Sequence, residues 1–227
     1  MKTSILTILA YFIMCGVSYA SDVYITQSGA SLTANINQDG QTNRFGVSGT
    51  VVTLTGDSQV LDIDQIGNTN TIAASLIGAI QEFTLRQAGN SNTSTVSVGS
   101  NSASGDNSII ETLTGSSNTT TVNVGNSAST DDADIDLTAT GDSNTITINE
   151  NSTASMVGSD KKITSITAIG SSNTITSTHT GAADQDTTLH HTGASSTFAI
   201  TQGGAYDGTT SITTVGSGHN VTVTMDD

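Results

Sequence analysis

The stretch "DIDQIGNTNTI", residues 62 to 72, decides the fold because it joins two short alternating runs through a corner. Before the corner, Ile63 alternates with polar residues and Gln65 takes the next position on the same side; after it, Ile72 resumes the alternation. The same arrangement returns 22 residues later as "TLRQAGNSNTS". A glutamine that recurs at one position of a repeated unit indicates an architecture rather than a catalytic site.

The repeat is visible in the spacing of glycines. Four of them stand 11 residues apart, and each is followed three positions later by an amide residue: Gly56 by Gln59, Gly67 by Asn70, Gly78 by Gln81 and Gly89 by Asn92. The motif then continues as "GSSN", "GDSN", "GSSN" and "GASS" at Gly115, Gly141, Gly170 and Gly193. Its spacing widens to 26, 26, 29 and 23 residues because the linkers grow. A solenoid tolerates such insertions, since each coil contacts only its neighbours.

Within each unit the apolar residues have period 2, which predicts strands rather than helices. Ile146 and Ile148 point inward after a corner, as do Val221 and Val223 in the last unit. We therefore predict an all-β solenoid of about nine stacked strand-turn-strand repeats, counted from Ser21, in a rod of about 43 Å. In "SIIETLTG" strict alternation would place Glu111 inside, and here we expect a bulge or a register shift.

The inward glutamines are explained by stacking. A buried amide without a partner loses hydrogen bonds worth several kcal/mol. Coils about 4.8 Å apart place Gln above Gln and Asn above Asn, so the side-chain amides can form ladders parallel to those of the backbone. Glycine lets the backbone turn at the corner, where a side chain would crowd the next coil.

The first 20 residues are predicted to be a secretory signal peptide. Lys2 precedes an apolar run from Ile5 to Val17, and small residues stand where a signal peptidase would cut after Ala20. Cys15 lies inside this run after Met14, which does not fit a lipoprotein signal. We expect a secreted chain without cysteine, with residues 21–92 and 93–227 as two parts of one solenoid.

Composition narrows the function further. Residues 1–20 contain one basic residue, Lys2, and no acidic residue, so the chain after cleavage has a net charge of 4 − 20 = −16. This charge argues against nucleic acid and anionic lipid as partners. No other stretch has the ~20 apolar residues of a membrane span. Aromatic residues are few and proline is absent, so order by backbone ladders is predicted in place of a bulky core.

The pattern of Gln-x-Gly-x-x-Asn between alternating strands resembles the curlin repeat, the unit of the subunits of curli, the amyloid-like extracellular fibres of bacteria. The match runs over residues 23–92, and "QSGASL" from Gln27 has Leu32 where Asn is expected. Beyond it, Leu113, Ala139, Ala168, His191 and Thr214 replace the glutamine. The residues assigned to ladders and self-assembly are Gln27, Gln38, Gly40, Asn43, Gln65, Gly67, Asn70, Gln87, Gly89, Asn92, Asn118, Asn144 and Asn173.

The resemblance implies a secreted fibre subunit that stacks end to end and serves adhesion and the biofilm matrix. It also implies a head-to-tail homopolymer as the main partner, with a nucleating paralogue and a dedicated export apparatus. "SDVYITQSG" begins a curlin-like unit directly after the predicted cleavage site. We therefore expect the N-terminal unit, with Gln27 and Gln38, to be the docking surface, and deletion of residues 21–43 to abolish fibres.

A different class of function remains open, a monomeric solenoid that binds ice, glycan or a calcium-bridged matrix. Thr-x-Thr pairs recur on the outward side after the corners, at Thr93 and Thr95, Thr119 and Thr121, Thr145 and Thr147, and Thr174 and Thr176. A flat threonine array resembles the ice-binding face of some β-helical antifreeze proteins, although threonine is also the ordinary outward residue of a strand.

No cofactor and no catalysis are predicted. Asp132, Asp134 and Asp136 lie on one side of a strand and are weak calcium candidates, but a solvated acidic edge is the simpler interpretation. His190 and His191 must face opposite ways on a strand, so they cannot chelate together. The chain has no nucleophile elbow, P-loop or His-Glu-x-x-His motif.

Overall fold

A computed structural model describes residues 6–12, 21–40, 42–46, 51–78, 80–99, 106–125, 133–151, 161–181, 184–204 and 208–226. These residues form strands and turns and contain no helix, as the period-2 alternation predicts. The strands are β1 (Leu6–Phe12), β2 (Ser21–Val23), β3 (Thr26–Ser28), β4 (Ser31–Asp39), β5 (Thr42–Phe45), β6 (Val52–Thr55), β7 (Ser58–Ile66), β8 (Thr69–Ile77), β9 (Ile80–Ala88), β10 (Ser91–Val98), β11 (Asn107–Thr114), β12 (Ser117–Val124), β13 (Ala133–Thr140), β14 (Ser143–Asn151), β15 (Lys161–Ile169), β16 (Thr174–Thr180), β17 (Asp184–Ala194), β18 (Thr197–Gly203), β19 (Gly208–Ser217) and β20 (Asn220–Asp226).

The strands build two parallel sheets that face each other across a narrow core. The first sheet has the order β1-β4-β7-β9-β11-β13-β15-β17-β19, and the second has the order β2-β5-β8-β10-β12-β14-β16-β18-β20. The short strands β3 and β6 extend the second sheet beside β2 and β5. Because the chain alternates between the sheets and each strand pairs with the strand one coil away, the molecule is a parallel β-solenoid.

The predicted count of about nine repeats is somewhat too high, because the solenoid has about six regular turns. We identify these as the turns from β7–β8 to β17–β18, each with two unbroken strands and neighbours on both sides. The turn before them is interrupted between β5 and β6, and the turn formed by β19 and β20 follows them.

The core is formed by the inward side chains of both sheets, as the alternation predicts. Leu61, Ile63 and Gln65 on β7 are all 0% exposed, and Ile146 and Ile148 on β14 are buried as well. The last turn differs. Val221 and Val223 are in register with Phe198 and Ile200, but they remain 45% and 42% exposed because no described strand covers them.

Close contact between successive corners explains the recurrent glycine. A Cβ atom at Gly89 would overlap the carbonyl oxygen of Gly67, and one at Gly115 would overlap that of Gly89. The same overlap recurs at Gly141 against Gly115. Only glycine permits this approach, so the corner glycines set the spacing of the stack.

The expected bulge at Glu111 is wrong. Strand β11 pairs with β9 and β13 without a break, and Glu111 lies opposite Leu85 and Leu137 in the same register. Its side chain is 1% exposed and points into the core. The alternation therefore holds through β11, because hydroxyl groups across the core provide partners for the carboxyl group.

The segment predicted to be a signal peptide contributes one strand to the uncleaved chain. β1 pairs in parallel with β4, from Leu6 opposite Leu32 to Phe12 opposite Gln38. Residues 1–5 and 13–20 lie outside the described part of the chain. Cleavage after Ala20 stays a prediction, and it would uncover the outer edge of β4.

Candidate functional site

A glutamine ladder runs through the N-terminal turns at the first corner. The Gln65 amide nitrogen donates to the Gln38 side-chain oxygen at 2.6 Å, and the Gln87 amide nitrogen donates to the Gln65 oxygen at 2.9 Å. All three side chains are buried. Each amide therefore satisfies its neighbour in the next coil, which offsets the free-energy cost of burying it.

Gln27 lies apart from this ladder, at the opposite corner of the solenoid. It faces Leu54 of β6 in the register of β3. With the amide oriented so that its oxygen accepts from Gly29 N–H, its nitrogen donates to the Thr55 carbonyl oxygen at 3.2 Å and to the Gln59 side-chain oxygen at 3.1 Å. The four glutamines of the curlin-like units thus occupy two different corners.

An asparagine ladder overlaps the glutamine ladder and extends beyond it. It joins five consecutive turns by amide-to-amide hydrogen bonds of 2.7–2.9 Å, which run from Asn70 to Asn92, Asn118, Asn144 and Asn173. Each nitrogen also donates to a corner carbonyl oxygen, as Asn92 does to Thr114 at 2.9 Å. Asn43 bonds the backbone of Gln38 and Ile66. Beyond the turns of Gln65 and Gln87, this ladder extends through the three turns in which Leu113, Ala139 and Ala168 take the glutamine position.

A histidine takes the glutamine position near the C-terminal end. The ring nitrogen Nε2 of His191 lies 2.8 Å from the Asn173 amide nitrogen and 2.9 Å from the Ser196 hydroxyl. Burial lowers the pKa of His191, the Gly170 carbonyl raises it in part, and the charge of His219 lowers it further. His190, next to it, is exposed on the outward face, so the two rings do face opposite ways.

Glu111 forms an internal carboxyl site in the middle of the solenoid. Ser94 donates its hydroxyl to one carboxyl oxygen at 2.9 Å, and Thr120 donates to the other at 2.6 Å. Burial raises the pKa of Glu111 to about 7, and the two hydroxyl hydrogen bonds lower it in part. Ser94 and Thr120 were not among the predicted site residues, although strict alternation places both of them inside.

A second internal site joins three turns near the C-terminal end. The Glu150 carboxylate accepts a hydrogen bond from Thr164 at 2.6 Å and lies 2.9 Å from Nδ1 of His179. The Nε2 atom of His179 contacts the hydroxyls of Ser177 at 2.6 Å and Thr187 at 3.0 Å. Burial raises the pKa of Glu150, but the hydrogen bond and charge of His179, the hydrogen bond of Thr164 and the charge of Lys162 together lower it overall.

The order carboxylate, imidazole, hydroxyl in Glu150, His179 and Ser177 matches that of a hydrolytic triad. Its setting differs from that of a catalytic site, because Ser177 is 0% exposed and His179 is 1% exposed. A substrate carbonyl cannot reach the Ser177 hydroxyl in this conformation. The contacts of His179 with Glu150 and Thr187 connect neighbouring coils.

Lys162 lies in the same region of the core. It is 1% exposed, and its ammonium nitrogen makes no hydrogen bond with the described residues. Burial lowers the pKa of Lys162, whereas the nearby charge of Glu150 raises it. The C-terminal core is therefore much more polar than the sequence analysis recognised, although the same period-2 pattern points to these residues.

The Thr-x-Thr pairs form two columns on the outward face of the second sheet. Thr93 pairs in register with Thr119, which pairs with Thr145, and the next column repeats this with Thr95 and Thr121. Among the described residues from β8 to β18, no outward side chain of this sheet is charged. The result is a flat, uncharged surface of hydroxyl, methyl and amide groups.

The acidic residues lie mainly on the opposite face. Asp134 and Asp136 point outward from β13, and burial together with the charge of Asp136 raises the pKa of Asp134. Asp132 lies outside the described residues. Arg86 bonds Asp64 at 2.8 Å on the same face. No three His, Cys, Asp or Glu side chains of the described chain are grouped as a metal site.

The two ends of the solenoid leave strand edges without a partner strand. On their outer side, β19 and β20 pair with no described strand, and the inward side chains of β20 remain exposed, Val221 at 45%, Val223 at 42% and Met225 at 52%. At the other end, Tyr24 between β2 and β3 is 49% exposed. Unpaired edges with exposed apolar residues favour pairing with another chain.

The fold and these ladders define a parallel β-solenoid repeat protein. No family model matches the chain, and no curated protein or solved structure was found to be similar to it. None of the described elements is a helix of the length and apolarity that a membrane span requires.

Proposed function

We propose that the chain is a secreted structural subunit that assembles end to end into extracellular fibres of the curli type. The open turn formed by β19 and β20 carries this proposal, because its outer edge pairs with no described strand and its inward side chains Val221, Val223 and Met225 are exposed. A second copy that adds strands there would satisfy the backbone groups and bury the apolar side chains. The resemblance to the curlin repeat adds adhesion and a role in the biofilm matrix to this proposal.

The backbone hydrogen-bond ladders of the two sheets support a fibre because they can continue from one copy to the next. A coil stacked on the end turn would extend two parallel sheets whose axial repeat is about 4.8 Å. The long-range charge opposes this stacking, since the chain after cleavage carries 4 − 20 = −16. We therefore expect assembly to be faster when salt screens the charge. A nucleating paralogue and an export apparatus remain proposed partners.

The test is assembly of a purified chain of residues 21–227 at low and moderate salt. We expect fibres with meridional diffraction near 4.8 Å, a lag that shortens with salt, and loss of fibres when residues 21–43 are deleted. Circular dichroism of the deletion variant checks that its remaining coils fold. A full-length mature chain that stays monomeric for days at high concentration would overturn the proposal.

The threonine columns favour a second candidate function, binding of an ordered uncharged surface such as ice. Their hydroxyls repeat at about 4.8 Å along the axis and about 6.6 Å along each strand. A charged side chain within the columns, Thr119→Lys, should abolish inhibition of ice recrystallisation. The control is Thr114→Lys, which places the same charge at an exposed position of the opposite sheet. A wild-type chain without effect on ice growth would contradict this candidate.

A further inference from the structure

The two ends of the chain do not match once residues 1–20 are removed. The first sheet has nine strands including β1, so eight remain. The second sheet has eleven strands, but β2 and β3 share one level and β5 and β6 share the next, which leaves nine levels. One more level in the second sheet than in the first means that the N-terminal end has a step.

This step prevents simple head-to-tail stacking of two copies. If β19 of one copy paired directly with β4 of the next, β20 would occupy the level that β2 and β3 already fill. If β20 instead paired with β2 and β3, the first sheet would lack one strand between β19 and β4. An unfilled level of about 4.8 Å exposes backbone groups on both sides, which is costly in a core.

The strands that stand in the way, β2 and β3, are the shortest of the described strands. β2 and β3 have three residues each and pair with β5 and β6 over three positions each. Val23 and Ile25 are only partly buried, and the ion pair between Asp22 and Arg44 at 3.6 Å is exposed to solvent. An exposed ion pair contributes little stability, so residues 21–28 are easily displaced.

We propose that β20 of one copy replaces residues 21–28 on β5 and β6 of the next copy, while β19 pairs with β4. This strand exchange rests on the proposed fibre function and on cleavage after Ala20. It makes both sheets continuous across the junction and adds a strand of seven residues, Asn220–Asp226, where two strands of three residues were.

The register of the solenoid places matching side chains at this junction. Followed coil by coil, the column of Val221 leads back to Phe45, that of Val223 to Val52, and that of Met225 to Leu54. In one copy these positions on β5 and β6 are covered by Val23 and Gln27. Exchange therefore places the Met225 side chain on Leu54 where a glutamine amide lay, and it buries the exposed valines of β20.

The corner at the junction is also compatible with a close approach. A Cβ atom at Gly216 would overlap the Gly193 carbonyl oxygen, as one at Gly193 would overlap that of Gly170, whereas one at Gly40 would meet only the Asn43 side chain at 3.3 Å. Gly40 and Gly216 are the first and last glycines of the same column of corners. In the proposed junction, the Gly216 carbonyl oxygen of one copy would therefore lie next to Gly40 of the next copy. A glycine on both sides permits that contact.

Two pairs of introduced cysteines distinguish strand exchange from direct pairing of β20 with β2. They are placed in a chain of residues 21–227, which contains no native cysteine. The outward column of Asn220 leads back to Arg44, and Asp22 lies opposite Arg44 on β2. Parallel neighbours lie within disulfide distance. After exchange, N220C and R44C should cross-link copies into covalent multimers in oxidised fibres, and N220C with D22C should not. Cross-linking of N220C with D22C instead would overturn the proposal.

A second experiment uses a disulfide to hold residues 21–28 in place. The variant D22C/R44C should lock β2 onto β5 when oxidised, with loss of fibre formation that reductant restores; D22S/R44S is the control. Deletion of residues 21–28 should shorten the lag. A locked chain that assembles as fast as its reduced form would overturn exchange. If unmodified chain, D22S/R44S and the deletion variant all remain monomeric, the fibre function itself fails.

Discussion

The side-chain amide of Gln87 donates to that of Gln65 at 2.9 Å, and both residues are 0% exposed although 22 positions separate them in the chain. Their pairing shows how this solenoid retains a polar core: a side chain that would be costly alone is satisfied by the same residue of the next coil. Replacing one member removes a buried hydrogen bond from its neighbour.

Replacing Gln65 or Gln87 with leucine should therefore lower the free energy of unfolding by about 1–3 kcal/mol each. The double variant should lose less than the sum, because no unpaired amide remains between the two positions. Urea unfolding of the monomer measures all three values. Strict additivity would show that the two amides do not interact.

The carboxyl group of Glu111 should make stability depend on pH. Its pKa rises from 4.5 in the unfolded chain to about 7 in the folded one, so the folded state holds the proton more tightly. The contribution is fully present below about pH 4.5 and falls as pH rises to about 7, by about 3 kcal/mol in total.

The variant Glu111→Gln should remove this dependence, and above about pH 7 it should be more stable than the wild type. Glu82→Gln, at an exposed outward position on the neighbouring strand, is the matched control. Urea unfolding over the pH range gives the comparison. Equal pH profiles for wild type and Glu111→Gln would refute the assignment of the raised pKa.

The Glu150–His179 pair should change stability with pH in the direction opposite to that of Glu111. Its lowered pKa means that the Glu150 carboxylate stabilises the fold above the unfolded value of 4.5, and this stabilisation is lost as pH falls through the folded value. Replacing His179 with glutamine leaves a buried charge poorly compensated and should cost about 3–5 kcal/mol at neutral pH. His190→Gln, exposed on the outward face, should have almost no effect on the unfolding midpoint.

The corner glycines should be intolerant of any side chain. Gly141→Ala places a methyl group against the Gly115 carbonyl oxygen, so the two coils must separate. We expect the free energy of unfolding to fall by several kcal/mol, because relieving this overlap strains the backbone. Gly203→Ala is the control, because no atom lies within 4 Å of its added Cβ. Thermal unfolding that shows equal effects at both sites would contradict the role of close corner contact.

Much of this fold follows from local properties of the chain. Period-2 alternation determines which face of a strand a residue occupies, and the glycine spacing determines where the chain turns. From these two properties alone Gln65 and Gln87 are predicted to be inward and stacked, and they are. The same rule was sufficient for Glu111, and the expected bulge was wrong because the carboxyl group was considered without partners across the core.

What the sequence by itself determined is therefore the class of fold, the inward face of each strand and the vertical ladders between equivalent positions. The tertiary structure decided which inward residues meet across the core, such as Ser94 with Glu111 and Glu150 with Thr164. It also decided the number of regular turns and the step between the ends of the two sheets. The physical reason is that alternation is a property of one strand, whereas contacts between the sheets depend on linker length and on the register of neighbouring coils.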